Sequence, residues 1–241
     1  MNVVVLTRNP HGIASRFLAR RPGPVILDEA VGRRDVRRTL RKLRRVGITA
    51  APVGLALRRA YAAAGSGPPL ESVATEVVRV PSLNGDEARD ALRRLGADVA
   101  ISLDNAIIRP ETFSVPPHGT INVHHGAVPG YRGGPPVFWE LRDGLDRVGF
   151  TIHLIDAGID TGPVLARGDV PIERRSTLAE TLAATIPRLH DASLDALEAV
   201  LGAAAFTGEP QRPGGGHRTT PTLGDYLQVR NSLRDQRLSR E

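Results

Sequence analysis

Short apolar runs separated by amphipathic stretches constrain this chain more than any other feature. NVVVL (2–6), PVILD (24–28), TEVVRVP (75–81), DVAISL (98–103), INV (121–123) and GFTIHLI (149–155) are each of strand length and bounded by turn residues, as buried strands are. Helical patterns lie between and after them. In RDVRRTLRKLRRVG (34–47), Val36, Leu40 and Leu43 recur at helical spacing and Gly47 can close the helix. In GDEARDALRRLGAD (85–98), Ala88, Ala91, Leu92 and Leu95 share one face. The longest pattern covers 176–201, with a capping box from Thr177 and Glu180, an apolar side of Leu178, Leu182, Ile186, Leu189, Leu197 and Leu201, and an expected kink at Pro187. Residues 60–73 read as a loop or weak helix with breakers. Strands alternating with helices imply an α/β fold, a Rossmann-like, mostly parallel twisted sheet with helices on both faces. Ligands in such sheets sit beyond the carboxyl ends of the strands.

The 241 residues suit one large domain with an appendage. The main domain is expected over 1–206. A linker, TGEPQRPGGGHRTTP, opens the remaining segment 207–241, and a polar helix with few apolar anchors ends it. That short C-terminal extension is expected either to pack on a partner chain, a homodimer included, or to fray.

Composition excludes several classes. No stretch approaches the roughly 20 apolar residues of a membrane span. The first residues lack the basic and long apolar regions of a secretion signal. With no cysteine there are no disulfides, thiolate metal sites or cysteine nucleophiles, and a cytoplasmic setting is the expectation. The net charge of +6 invites a nucleic-acid reading. Yet Lys42 is the only lysine, and the arginines alternate with acids. A solvated basic surface is therefore favoured over a nucleic-acid groove, and an anionic small substrate fits the charge equally well.

TINVHHGAVPGYRGGPPVFW (120–139) concentrates the chemistry. His118, His124, His125 and His153 raise a metal reading. Neighbours in an extended segment face opposite ways, however, so only one of His124 and His125 can face a given site, and no metal is expected. No phosphate-binding glycine loop follows the first strand. Acid–base chemistry fits better. Asn122 and His124 lie two apart and share a strand face, and DAGIDTG (156–162) places Asp156 and Asp160 in a loop after the next strand. An amide, an imidazole and a carboxylate suit attack of a nucleophile on a carbonyl: the first steadies the oxyanion, the second moves a proton and the third supports the imidazole.

The stretch from GTINVHHG through PGYRGGPP and GFTIHLI to DAGIDTG (119–162), continuing to residue 172, resembles the catalytic core of the folate-dependent formyltransferases. These include enzymes acting on methionyl-tRNA, glycinamide ribonucleotide and amino sugars. The resemblance covers about residues 74–202 well and the first strand loosely. It implies a formyltransferase catalytic domain over 1–206, with N10-formyltetrahydrofolate as co-substrate and an amine as acceptor. It implies Asn122, His124 and Asp160 as the catalytic trio, with Asn122 and protonated His124 stabilising the oxyanion. DNAIIRPETF (104–113) resembles the family's folate loop. Ile107, Ile108, Asp156, Gly158 and Ile159 would line the pterin pocket, and His125, Tyr131 and Arg132 are the acceptor-side candidates. There are departures. His125 stands where the family often has proline or glycine, although the hydrolase branch carries histidine there. The first loop lacks the phosphate-binding glycines of the glycinamide branch, and 207–241 is too short for the tRNA branch's barrel. The expectation is therefore transfer to a small-molecule amine, a sugar nucleotide or natural-product intermediate. The alternatives are formyltetrahydrofolate hydrolysis, a methionyl-tRNA formyltransferase-like enzyme without the barrel, and a non-catalytic binding module.

Overall fold

In the computed structural model, which describes residues 1–29, 50–105 and 107–238, each expected run becomes a strand. The chain forms β1 (Val3–Thr7), α1 (Ile13–Arg20), β2 (Pro24–Asp28), α2 (Ala50–Ala64), α3 (Leu70–Val73), β3 (Glu76–Val80), α4 (Asp86–Arg94), β4 (Val99–Leu103), α5 (Pro110–Phe113) and β5 (Thr120–His124). It continues with β6 (Tyr131–Gly133), α6 (Phe138–Arg142), β7 (Arg147–Leu154), β8 (Val164–Pro171), α7 (Leu178–Leu201), β9 (Gly216–Arg218) and α8 (Leu223–Leu238). The helical pattern expected over 34–47 lies outside the described residues.

The main sheet runs β3-β2-β1-β4-β5-β7-β8. The five strands from β3 to β5 are parallel, and β7 and β8 add antiparallel pairs. Strand alternation sorts the core into two layers. Val3, Val5, Val99, Ile101 and Leu103 face one cluster, shared with α1, α2, α7 and α8. Val4, Leu6, Ile26 and Ala100 face the other, which contains Ala88, Ala91 and Leu92 of α4. The chain builds outward from β1 to β3, then returns to place β4 on the other side of β1. The crevice between the carboxyl ends of β1 and β4 is thus the topological switch point, where α/β sheets bind ligands.

Three open readings are sharpened. Residues 60–64, read as loop or weak helix, complete α2: alanines favour helix, and Val53, Leu57 and Ala64 bury against the core. The break at 207–221 contains β9, which pairs in parallel with β6. Its glycines and prolines conceal a three-residue strand whose backbone groups find partners there. The C-terminal helix docks on this chain itself, since Val229 and Leu233, 1% and 2% exposed, sit in its main core. As expected, α7 begins on a complete Thr177–Glu180 capping box; it continues through Pro187. Among the described residues no helix is long and apolar enough to cross a membrane.

Candidate active site

β5 carries Asn122 and His124 on one strand face and ends there, with His125 the first residue after it. Gly126 then lets the chain fold back so closely that the Tyr131 carbonyl reaches the His124 ring. A side chain at Gly126 would stand 2.2 Å from that carbonyl oxygen and 2.6 Å from His124 Nε2. His124 Nε2 donates to Tyr131 O at 2.7 Å, which fixes the tautomer and leaves Nδ1 as the working nitrogen. Nδ1 lies 3.5 Å from Asp160 Oδ2.

Asp160 comes from the loop after β7 and adopts a left-handed backbone, φ +52°. Its Oδ2 accepts the Gly133 amide at 3.1 Å and its Oδ1 accepts Asn122 Nδ2 at 3.4 Å. Asp160 therefore bridges Asn122 and His124. Burial opposes ionisation of Asp160, but the His153 ring, His124 and the Gly133 amide outweigh it and bring the carboxyl down to about 2. For His124, burial is the largest influence and lowers its pKa, although Asp160 and the Tyr131 carbonyl act the other way. The His124 ring, its pKa held below the ordinary histidine value, thus lies beside an ionised carboxylate.

A fourth member, His153, was considered in the sequence only as a metal ligand. It stands directly across from Asn122 in the β5–β7 ladder. Its Nδ1 donates to Leu154 O at 2.8 Å, so Nε2 can accept Asn122 Nδ2 at 3.2 Å. Both N–H groups of Asn122 are thus engaged, through long contacts at 3.2 and 3.4 Å that orient the amide and that a charged acceptor can displace. Among the described residues no group of three or more histidines and acids is placed to hold a metal ion.

A cavity of about 1650 Å³ opens onto Asn122, His124 and Asp160. Ile107, Ile108, Asp156, Gly158 and Ile159 line it. Ile107 and Ile159 are 66% and 44% exposed. Asp156 braces its own loop by accepting Gly158 N at 3.0 Å and Thr161 Oγ1 at 2.6 Å. Asn9, His11, Arg58, Arg59, Tyr61 and His125 line it too.

The acceptor-side candidates part company. His125 reaches the cavity wall, stacked on His190 with centroids 5.1 Å apart and bonded through Nε2 to Ser193 Oγ at 3.2 Å. Burial holds its pKa well below the usual histidine value. Tyr131 does not line the cavity: its hydroxyl donates to Asp143 at 3.1 Å, and Arg218 covers its ring. Arg132 is absent from the wall as well, its guanidinium spent on Asp160 O, Gly214 O and Gln211 Oε1. Spacing alone could not separate a motif's backbone role from its side-chain role.

Fold and site together define a Rossmann-like α/β protein with a polar cluster beyond the carboxyl ends of its strands. The chain belongs to the formyl transferase family, whose model matches residues 51–201. It is 36% identical over 138 residues to a methionyl-tRNA formyltransferase of Ruegeria pomeroyi, covering 56% of this chain and 44% of that one. It is 33% identical over 138 residues to the corresponding protein of Geobacter sulfurreducens, covering 54% and 44%. The chain thus spans less than half the length of these curated relatives. Among solved structures, a sugar N-formyltransferase from a Shewanella species superposes with TM-score 0.57 at 16% identity, over 96% of this chain and 87% of that one. Phosphoribosylglycinamide formyltransferase of Bacillus halodurans gives 0.56 at 17%, over 85% and 97%. At these identities the likeness establishes the fold.

Proposed function

We propose that the protein transfers a formyl group from N10-formyltetrahydrofolate to the amine of an anionic small molecule, an amino-sugar nucleotide being the favoured class. One observation carries this reading: Asp160 bridges Asn122 and His124 on the wall of a cavity large enough for two reactants. Its volume, about 1650 Å³, exceeds the roughly 300–1,000 Å³ of a pocket for one drug-sized ligand. The exposed isoleucines Ile107 and Ile159 suit the faces of a flat heterocycle. Arg58 and Arg59, both exposed, line the same cavity, which suits a phosphate-bearing acceptor.

The chemistry follows from the site. The acceptor nitrogen attacks the formyl carbon, and the carbonyl becomes an oxyanion that the Asn122 amide can meet. The resemblance implies that His124 begins protonated; its lowered pKa favours a neutral start. Nδ1 then takes the proton released by the attacking amine. The imidazolium that forms lies against Asp160, whose low pKa keeps it charged at that moment. Collapse of the intermediate breaks the bond to N10, and His124 returns the proton to the departing tetrahydrofolate.

An acceptor panel with N10-formyltetrahydrofolate tests this, reading tetrahydrofolate release with amino-sugar nucleotides, methionyl-tRNA or no amine. Release that needs an anionic amino sugar is expected. Formate release without any amine would make the protein a hydrolase, and activity on methionyl-tRNA alone would overturn the small-molecule reading. The double variant Arg58→Ala/Arg59→Ala should raise the acceptor KM roughly tenfold or more and leave the folate KM unchanged.

A further inference from the structure

The site's acid is held by residues far along the chain. Gln211 Nε2 donates to Asp160 O at 3.0 Å and to Gly162 O at 2.8 Å. Arg132 donates to the same Asp160 carbonyl through Nε at 3.1 Å, and to Gln211 Oε1 through Nη2 at 2.8 Å. Its Nη1 reaches Gly214 O at 2.9 Å. The Asp160 carbonyl thus receives two donors, and the two side chains that supply them are bonded to each other. Asp160 needs such support because its backbone is left-handed, a conformation costly for residues other than glycine. The clamp itself is anchored. β9 runs parallel to β6 with Arg132 opposite His217, and Gly215 packs so closely on Pro129 that a Cβ there would lie 1.7 Å from its carbonyl oxygen.

We propose that Gln211 is a positioning residue for formyl transfer, acting with Arg132 to hold the Asp160 backbone so that its carboxylate faces His124 Nδ1. The segment 209–218 thereby completes the active site instead of trailing from it. Gln211 itself does not line the cavity, so its effect runs through Asp160. The inference rests on the roles given above to His124 and Asp160.

The test compares full-length Gln211→Ala, Gln211→Glu and Asp160→Ala proteins with the parent. Gln211→Ala removes both amide donors. Gln211→Glu keeps the length and the acceptor for Arg132 but turns an oxygen toward the two carbonyls. Each should lower kcat roughly 10- to 100-fold while both KM values stay within about twofold of the parent. Asp160 raises the pKa of His124, so its displacement should move the His124 titration to lower pH. NMR of the ring measures that shift without turnover, and the acid limb of the kcat profile should follow it. Parent-like kcat and titration in a folded Gln211 variant would overturn the proposal. So would failure of both variants to fold, which would make the residue a fold determinant. Full activity in Asp160→Ala would instead overturn the mechanism beneath it.

Discussion

His124 closes β5 and His125 follows it, yet the two have different surroundings. The first has a fixed tautomer, an ionised neighbour and a cavity in front of it. The second stacks on His190 and contacts Ser193. His124→Ala and Asp160→Ala should each lower kcat roughly 10²- to 10⁴-fold with unchanged circular dichroism, whereas His125→Ala should act mainly on acceptor KM. Equal losses of kcat at the two histidines would show that the roles are misassigned. Period-two alternation made Asn122 and His124 readable as neighbours, and a loop acid after the next strand was readable as their partner. His153 was not, because its place beside Asn122 depends on the register between two strands, which neither strand states alone. Tyr131 and Arg132 look like ligand-binding side chains in a glycine-rich turn, yet Tyr131 serves His124 through its backbone carbonyl.

At the scale of elements, α6 carries an unusual acid. Glu140 is 2% exposed, and its Oε2 has no hydrogen-bond partner among the described residues. Burial raises its carboxyl from 4.5 to about 7, against the pull of nearby backbone amides and Arg218. The native state therefore keeps a proton that the unfolded chain releases above about 4.5, so stability is lost as pH rises from there through 7. A shift of that size corresponds to something on the order of 3 kcal/mol. Glu140→Gln, which resembles the neutral acid, should melt higher than the parent at pH 8, and the difference should vanish near pH 4.5. A constant difference across that range would remove the buried acid as its cause. Elements with strong local signals, such as α7 with its capping box and the five parallel strands, were legible in the sequence. β6 and β9 were not, since three residues among glycines and prolines have no period to read.

For the molecule as a whole, the alternation of strands and helices was enough to specify a doubly covered, mostly parallel sheet and to direct attention to its carboxyl edge. The polar composition of the last segment pointed outward, and only packing revealed that two apolar residues suffice to dock it. Leu233→Ala should lower stability by about 2–5 kcal/mol in a single transition followed by denaturant. A separate early transition would mean that α8 unfolds on its own. The clamp on Asp160 gives that docking a temporal meaning. Gln211 follows Asp160 by 51 residues, a gap that a ribosome adding roughly 5–20 residues per second closes in about three to ten seconds. During that interval a growing chain carries its amide, imidazole and acid, and Arg132 as well, but not the Gln211 half of the clamp, so on the proposed mechanism competence waits for residue 211.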